Sequence, residues 1–594
     1  MSSSTTYHRT CTTRDLYFLF LLCLFNALTA SAATYYVDLD NGDDSRSGLT
    51  RNQAWRTLPG MRNVLDSNWL SSDWGSGSIS QSSKVLPGTT FKLKRGTTYN
   101  SNDGGFLWIS KVYYATGANL NQPITIEVEE SWGAGPVIFD FENINVGISG
   151  ILIQTDGIKI DGKLPNGIVI QNCDGGGLQV KEKPGSGDAI SGVALRNIKF
   201  YNNEISKVTD SQAAGGAQLS IRKLIGGEIS NIELDGFRDR SPDAYSNGVL
   251  LGDNQKMVQN IVISNCVAYN HLGNEHGNDS GIGFKLLNAQ VEMIDCVSSN
   301  NLKGWDVGHQ PIYPPVEIHV VLNRCKASQN QWGMNFNAAA STQDPYTERV
   351  AWYLINSIVV DNTSLGSSIY SGPFEFYCIH SLYANNGINA GGESANLRIN
   401  PGGQADEQKC NVFLYNNIFY KPGAGCRFSF LNAYTGDGSP GFDTDFSMDS
   451  DYNAWVQRDN EDFAGWSWYA GTGRAEDVTF HHRYGPDGPG HASGIWYSQE
   501  DEPGKGTGHL GCDAHSRGTS ADDSSLPPFT DANNGIYTLE GRYGGLDLST
   551  KSWFIPAMGF DRSGVARSYW DMGPNEYIEE MSVPSPPLNL HISL

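Results

Sequence analysis

A short β-rich unit recurs along this chain, and such repetition limits the folds that the chain can adopt. Each unit has a polar or small residue, an apolar triplet and a polar turn, as in residues 195–206, 261–270, 291–301 and 320–330. The spacings are 25, 34, 34, 30 and 29 residues when the units are aligned on Cys173, Ile198, Ile232, Cys266, Cys296 and Cys325. Periods of this length are typical of solenoids, in which each repeat buries its apolar face against its neighbours.

The repeats are rich in strand-forming residues, and their apolar residues do not follow the i, i+3, i+4 spacing of a helix. Clusters of Asn and Gly mark the turns. We therefore predict an all-β fold, a right-handed parallel β-helix in which each repeat is one coil of roughly three short strands. In this fold Cys266, Cys296 and Cys325 lie at equivalent positions as an inward stack of small apolar side chains, rather than as a metal or redox site.

Changes in composition divide the 594-residue chain into four segments. Residues 1–32 combine a basic flank, a short apolar run and small residues, which predicts a signal peptide and a secreted protein. That run is too short to span a bilayer, and no other segment predicts a membrane span. We expect the β-helix over 33–430, an irregular region of long loops over 431–530, and a segment that closes the β-helix over 531–594.

The net charge of −23 excludes one class of partner. A protein that binds nucleic acid needs a basic surface to displace counterions, so we do not expect nucleic acid as a partner. A polyanionic substrate would require a local basic site. Between residues 283 and 326, four basic and four acidic residues cancel, so the sequence predicts no broad basic trough there. We expect the protein to be a monomer.

The candidate catalytic residues lie within the stretch 281–337. Alternation along strands lets three residues of successive coils stack inward: Phe284, Trp305 and Met334. The residues that follow them then point outward and form one row: Lys285, Asp306 and Asn335. A row of lysine, aspartate and asparagine on the outer face of a solenoid is suited to a polar substrate.

Three motifs in this stretch resemble those of the family 9 polysaccharide lyases, which are secreted β-helix pectate lyases and their relatives. The motifs are SGIGFKL (280–286), DCVSSNN (295–301) and KGWD (303–306), in the family's order and at natural spacing. The resemblance implies a polysaccharide substrate, and it implies that Lys285, in the position of the family's GFKL lysine, is the Brønsted base.

The resemblance extends to both ends of the mature chain. Residues 34–58 resemble the opening of many secreted β-helix proteins, and residues 88–99 resemble the first full coil of that superfamily. Residues 560–579 resemble the closing segment of the same group. These similarities indicate that one solenoid covers nearly the whole mature chain.

The implied reaction explains why such residues are needed. A lyase removes the proton α to a uronate carboxylate and expels the 4-linked sugar; because that proton is weakly acidic, the base must be neutral and the carboxylate must be neutralised. A lysine can serve where burial or a neighbouring cation lowers its pKa. Asp306 is the second catalytic candidate, since it would orient the lysine or a sugar hydroxyl. The candidate substrate-binding residues are Arg222, Lys303, Trp305 and Asn335.

The family binds Ca²⁺ through acidic residues on the coils before the lysine, and this chain departs from that pattern. The matching stretch has Ser246, Asn247 and Leu250 in place of acids. A hard cation needs several oxygen ligands, so we predict weak or no calcium dependence through that site. Part of a calcium site could be rebuilt from other acids: Asp243, Asp253 and Asp279. Alternatively, basic residues could neutralise the substrate carboxylate without metal: Arg222, Lys223 and Lys256.

Two other functions stay open beside a lyase that acts on a uronate-containing polymer. A β-helix glycoside hydrolase would need two carboxylates across the scissile bond. Only QTDG (154–157) and His276-Gly277 match parts of the polygalacturonase signature, which ranks this reading lower. A non-catalytic carbohydrate-binding or surface protein could use the aromatic residues of GWSWYAG (465–471).

Overall fold

The computed structural model describes most of the chain between residues 32 and 574. The described ranges are 32–62, 73–74, 79–80, 84–100, 106–143, 149–203, 217–236, 247–253, 256–272, 280–309, 317–338, 350–370, 374–388, 395–400, 410–420, 428–435, 446–456, 464–470, 473–484, 492–497, 517–519, 529–531, 536–539, 546–552, 554–567, 570 and 573–574. The predicted signal peptide lies outside these ranges apart from its last residue. Within these ranges no helix is long and apolar enough to cross a membrane.

Parallel strands stack coil upon coil into three ladders. The first ladder consists of Phe106–Ser110, Ile151–Gln154, Leu178–Val180, Ala217–Ile221, Asn247–Leu251, Ile282–Leu287, Lys303–His309, Trp332–Ala338, Leu365–Tyr370, Ala395–Asn400, Phe428–Thr435 and Ala464–Ala470. The second consists of Thr34–Val37, Thr90–Arg95, Ile124–Gly133, Ile158–Asp161, Ile190–Tyr201, Leu224–Asp235, Val258–Ser264, Ala289–Ile294, Ile318–Asn323, Val350–Ile355, Phe374–Ile379, Cys410–Tyr415 and Phe446–Asp451.

The third ladder shares the long strands Ile190–Tyr201 and Leu224–Asp235 with the second. Its other members are Thr98–Asn100, Val137–Asp140, Ile168–Gln171, Val267–Tyr269, Val297–Ser299, Lys326–Ser328, Ile358–Val360, Leu382–Ala384, Ile418–Tyr420, Ala454–Val456 and Arg517–Thr519. Each coil therefore contributes one strand to each ladder over most of the described chain. The predicted all-β parallel solenoid is confirmed.

The remaining described elements are short or antiparallel. Met61–Arg62 pairs with the first strand of the first ladder, and Gly473–Tyr484 and Ala492–Tyr497 follow its last strand. Two separate two-stranded sheets and two 3-10 helices complete the set: Asp73–Trp74 with Ile79–Ser80, Phe529–Asp531 with Ile536–Leu539, Arg51–Gln53 and Pro556–Gly559.

A single left-handed residue bends the chain between the second and third ladders. Its φ lies between 51° and 59° in nine coils, at Asn197, Asn231, Asn265, Asp295, Arg324, Asn356, His380, Asn416 and Tyr452. Asparagine tolerates this backbone region better than most residues, because its short polar side chain can form local hydrogen bonds. The Asn clusters of the sequence therefore mark the corners of the coils.

The backbone register corrects one member of the repeat alignment. Ile198 pairs with Ile168 and not with Cys173, which follows the later bend at Asn172. The alignment failed there because the two bends of a coil have similar sequences. The inward column of Cys266, Cys296 and Cys325 is confirmed, since all three thiols are buried.

Cys173 instead begins a column of buried asparagines beside the third ladder. Its backbone N–H donates to the Asn203 Oδ1 at 3.0 Å. Further along, the N–H of Asn301 donates to the Asn330 Oδ1 at 3.0 Å, and the N–H of Asn330 donates to the Asn362 Oδ1 at 3.1 Å. Each side-chain amide thus satisfies a backbone donor of the preceding coil, and an unsatisfied buried donor would cost about 1–3 kcal/mol.

The ladders continue past residue 430, where the sequence predicts irregular loops. Phe446–Asp451 pairs in parallel with Cys410–Tyr415, and Ala454–Val456 pairs with Ile418–Tyr420. The expectation of an irregular region is therefore wrong for these strands. Gly, Asp and Trp are abundant there, but composition does not prevent pairing with an existing sheet edge.

The described part of the segment 546–574 packs along the outside of the second ladder. It covers an aromatic row in which the rings of Tyr353, Tyr377 and Phe413 stack with centroids 4.5 Å apart and planes inclined by 4°. The Arg562 guanidinium donates to the backbone oxygens of Cys325 and Asn356 at 3.3 and 3.2 Å. This part of the predicted closing segment therefore covers a flank of the solenoid.

We expect Met558→Ala to lower the stability of this packing by about 2–5 kcal/mol, because Met558 is fully buried against the second ladder. The matched control is Val565→Ala, since Val565 lies in the same segment but is 53% exposed. Urea unfolding followed by tryptophan fluorescence measures both variants. Equal midpoints for the two variants would show that the segment does not pack as described.

His271 occupies the asparagine column, and it should make stability depend on pH. Its backbone N–H donates to the Asn301 Oδ1 at 2.8 Å, and burial lowers the pKa of its imidazole to about 4. Since the unfolded chain takes up this proton near pH 6.5, the free energy of unfolding should fall by about 3 kcal/mol as the pH drops from 6.5 to 4. Urea titrations across this range should show a shallower fall for His271→Asn. The control variant His319→Asn should show the same fall as the wild type. If the free energy of unfolding of His271→Asn falls as steeply as in these two proteins, the assignment to His271 is contradicted.

Candidate active site

The first ladder places the three predicted residues in one row on its outer face. Lys285 pairs with Leu250 on one side and with Asp306 on the other, and Asp306 pairs with Asn335. Beneath the row, the Phe284 ring stacks on the Trp305 ring. The alternation of strand residues therefore gives the arrangement that the sequence predicts.

Trp305 cannot contact a substrate on this face. The side chain is fully buried, and its ring centroid lies 5.0 Å from that of Phe284, with planes inclined by 21°. The assignment of Trp305 to substrate binding is therefore wrong. It belongs to the inward set of its strand, one residue before the outward Asp306.

Asp306 is held from two sides. Its Oδ1 accepts a hydrogen bond from the Asn335 Nδ2 at 2.5 Å, and its Oδ2 lies 3.5 Å from the Lys303 Nζ. The Lys303 side chain is itself almost buried, and its Nζ lies 5.5 Å from the centroid of the Trp332 ring. Charge-assisted contacts of this kind are stronger than neutral ones, so they fix the carboxylate beside Lys285.

Lys285 is more enclosed than an open groove would leave it. The residue is 8% exposed, and its neighbours earlier in the row, Leu250 and Ser220, are also buried. Lys285 therefore does not project into a wide opening.

Charged residues are confined to one part of the first ladder. Its ten strands between Phe106–Ser110 and Ala395–Asn400 contain four lysine, arginine, aspartate or glutamate residues: Lys285, Lys303, Asp306 and Arg398. Three cations and one carboxylate give these strands a net charge of +2 with His309 neutral. This excess contrasts with the net charge of −23 of the chain.

The count of charges over residues 283–326 did not reveal this excess of positive charge, because that stretch of sequence includes residues that the fold separates. Glu292 lies in the second ladder, Asp295 lies at a bend, and Glu317 precedes a strand of the second ladder. None of these three acids belongs to a strand of the first ladder. The cancellation of charges along the sequence therefore does not hold for this face of the solenoid.

Of the three basic residues proposed to neutralise a substrate carboxylate, Arg222 has the suitable position. It follows Ser220 by two residues, and Ser220 lies two coils before Lys285 in the same row. The Lys223 Nζ donates to the backbone oxygen of Gly187 at 2.8 Å. The Lys256 Nζ lies 3.1 Å from Glu182 and 3.4 Å from Asp253, so it takes part in an ion-pair network.

The described residues do not fit the family calcium site. The row before Lys285 has Leu250, Ser220 and Gln179, which supply no carboxylate. Asn247 is buried, and its Oδ1 accepts a hydrogen bond from the Ile282 N–H at 2.9 Å. Asp253 contacts Lys256, whereas Asp243, Ser246 and Asp279 lie outside the described residues. No group of three or more potential ligands occurs in the part of the chain that the structure describes.

No family model matches the sequence, and no curated protein matches it. Among solved structures, the chain is similar to pectate lyase Pel9A, with 14% identity, coverage of 72% of this chain and 81% of that one, and a TM-score of 0.31. It is similar to the A-module of the Azotobacter vinelandii mannuronan C-5 epimerase AlgE4, with 12% identity, coverage of 61% and 87%, and a TM-score of 0.33. It is also similar to XylC in complex with xylose, with 7% identity, coverage of 92% and 98%, and a TM-score of 0.43. At these values the similarities carry no argument, and the resemblance to family 9 rests on its motifs.

Proposed function

We propose that this protein is a secreted polysaccharide lyase that cleaves a uronic-acid-containing polymer by β-elimination, with Lys285 as the base. The observation that carries the proposal is that all four charged residues of these ten first-ladder strands lie on three strands, one of which holds Lys285. An excess of positive charge on these strands of an acidic protein suits an anionic polymer, whereas a neutral glycan would gain nothing from it.

In the proposed reaction, Lys285 removes a proton from the uronate and the glycosidic bond then breaks. The neutral Lys285 Nζ takes the proton from C5 of the uronate, and the released electron pair forms the C4–C5 double bond. The bond between C4 and the glycosidic oxygen breaks, and that oxygen leaves with a proton supplied by the Lys285 ammonium or by water. Arg222, which follows Ser220 of the same row by two residues, would neutralise the carboxylate and so stabilise the charge that develops beside C5.

Asp306 and its partners would keep the base in position. Its carboxylate lies on the coil next to Lys285, and the contacts with Asn335 and Lys303 restrict its movement. Lys303 acts through Asp306 and is therefore a positioning residue. Such fixed geometry favours proton transfer because the reacting atoms need no rearrangement at the moment of reaction.

A glycoside hydrolase is less well supported by the same face. Hydrolysis by the common mechanism requires two carboxyl groups on opposite sides of the scissile bond. Between Phe106–Ser110 and Ala395–Asn400, the described strands of the first ladder supply one, Asp306. Elimination requires one base and a neutralised carboxylate, which this set of residues can provide.

Lys285→Ala should lower turnover by a factor of at least ~10², the usual scale for losing a positioned acid–base group. Lys285→Arg should not restore turnover, because guanidinium stays protonated and cannot accept the proton. The assay is the rise in absorbance at about 235 nm from the unsaturated uronate formed on digestion, which hydrolysis and binding do not produce.

The matched control for this test is Lys199→Ala. Lys199 lies on the outer face of the third ladder, where it pairs with Glu233 at 2.7 Å, away from the candidate site. Its loss should leave turnover within about twofold, since a surface ion pair contributes about 0–1 kcal/mol. Full activity in Lys285→Ala, with unchanged circular dichroism, would exclude Lys285 as the base.

Chelation gives an independent test of the proposed chemistry. Because the described residues around Lys285 do not form a calcium site, EDTA should change the initial rate by less than about twofold. The assay compares initial rates before and after dialysis against the chelator. Loss of activity that added Ca²⁺ restores, with the ion located beside Lys285, would show that neutralisation by arginine is wrong.

A further inference from the structure

The corner at which the chain passes from the first ladder to the second carries an excess of positive charge over five successive coils. These five corner segments are 111–123, 155–157, 181–189, 222–223 and 252–257. Together they contain six lysine or arginine residues and four aspartate or glutamate residues, which gives a net charge of +2. Because the whole chain has a net charge of −23, this corner differs in sign from the rest of the protein.

Ion pairs occupy three of the four acidic residues in this corner. The Lys183 Nζ lies 2.7 Å from Asp156. The Lys256 Nζ lies 3.1 Å from Glu182 and 3.4 Å from Asp253. Three further lysines of the corner have no carboxylate at ion-pair distance among the residues that the structure describes, and their side chains are exposed or half-buried: Lys111, Lys181 and Lys223.

Two of these lysines contact a turn, residues 183–188, from opposite sides. Lys111 follows the strand two coils before the turn, and its Nζ donates to the backbone oxygen of Pro184 at 3.2 Å. Lys223 follows the strand one coil after the turn, and its Nζ donates to the backbone oxygen of Gly187 at 2.8 Å. A backbone oxygen carries no full negative charge, and an ammonium group has three donors. These contacts therefore orient the two ammonium groups without neutralising them.

Lys181 connects this group of lysines with the candidate active site. The Arg222 N–H donates to the backbone oxygen of Val180 at 3.0 Å, so Arg222 lies beside Lys181 on the following coil. Arg222 is the residue to which the proposed function gives the uronate carboxylate. Asp188, the fourth acid of the corner, is exposed in the turn and opposes one of the three positive charges. The lysines thus lie next to the candidate active site and outside the enclosed row that contains Lys285.

We propose that Lys111, Lys181 and Lys223 form an accessory binding surface for an anionic polysaccharide, separate from the row in which cleavage is proposed. The inference rests on the proposed function for the identity of the polymer, a uronate chain. The three lysines span four coils, about 14 Å at the usual spacing of neighbouring strands, which is more than one sugar unit covers. A polymer with a carboxylate on each unit can contact several ammonium groups at once, and such multiple contacts hold it beside the enzyme.

Replacement of the three lysines by glutamine tests this surface, because glutamine removes the charge and keeps a side-chain donor for the turn. We would measure the binding of polygalacturonate by isothermal titration calorimetry at low ionic strength. Both proteins would carry Lys285→Ala, which prevents the proposed cleavage. The triple variant Lys111→Gln, Lys181→Gln and Lys223→Gln should raise the dissociation constant about tenfold. The difference should decrease as salt is added, since salt screens surface charges.

The matched control makes the same change in net charge outside the corner, with Lys159→Gln, Lys163→Gln and Lys199→Gln. Each of these lysines lies near a carboxylate, at 3.3, 2.7 and 2.7 Å respectively. The control should bind polygalacturonate within about twofold of its parent. Equal losses of affinity in the two triple variants would overturn the surface, because net charge alone would then explain them.

The chemical class of the ligand is tested with two further probes. A neutral galactan should bind equally to the parent and to the triple variant of the corner, and a loss of its binding would show a structural role and overturn the proposal. Vesicles that contain phosphatidylserine should bind more weakly than polygalacturonate at the same ionic strength. Tighter binding of these vesicles, lost in the triple variant of the corner, would show that the partner is a membrane and not a polysaccharide.

The same proteins distinguish failure of this surface from failure of the lyase proposal. If the wild type forms unsaturated uronate and the triple variant of the corner binds polygalacturonate as its parent does, the surface alone is wrong. If the wild type forms no unsaturated product but polygalacturonate binds through the three lysines, the lyase proposal is wrong and the surface stands. If polygalacturonate does not bind and no uronate polymer yields an unsaturated product, both are wrong.

Discussion

The hydrogen bonds between consecutive coils fix a single register, and the rest of the structure depends on that register. Each residue of a ladder strand lies about 4.8 Å from its partner on the next coil. A shift by one residue would turn every inward side chain outward, so burial of the core selects one pairing. The same constraint places five residues in one row although they are far apart in sequence: Lys285, Asp306, Asn335, Ser368 and Arg398.

Buried columns show how the solenoid satisfies its polar groups while the coils change in sequence. The column of thiols at Cys266, Cys296 and Cys325 continues as Ser357 and Ser381 in the following coils. There the N–H of Cys325 donates to the Ser357 Oγ at 3.1 Å, and that of Ser357 donates to the Ser381 Oγ at 3.2 Å. Hydroxyl groups can donate and accept, so they replace thiols in the core without leaving a donor unsatisfied.

Local periodicity was sufficient to predict the solenoid and the row of Lys285, Asp306 and Asn335. Both depend on alternation within short strands, which the sequence displays directly. Periodicity could not predict the charge of the face, because the sequence interleaves Glu292 and Asp295 with residues of another ladder. It could not locate Arg562 either, since its contact with Cys325 joins residues 237 positions apart. It misassigned Trp305 because substrate binding was inferred from residue type and not from the direction of the side chain.

A crystal structure of the Lys285→Ala variant with a uronate hexasaccharide would test the central claim most directly. The account predicts sugar units along the outer face of the first ladder, parallel to the solenoid axis. C5 of one unit should lie above position 285, and the carboxylate of that unit should lie within hydrogen-bonding distance of Arg222. An oligosaccharide bound elsewhere, for example at the aromatic segment 465–471, or lying across the ladders, would contradict the account.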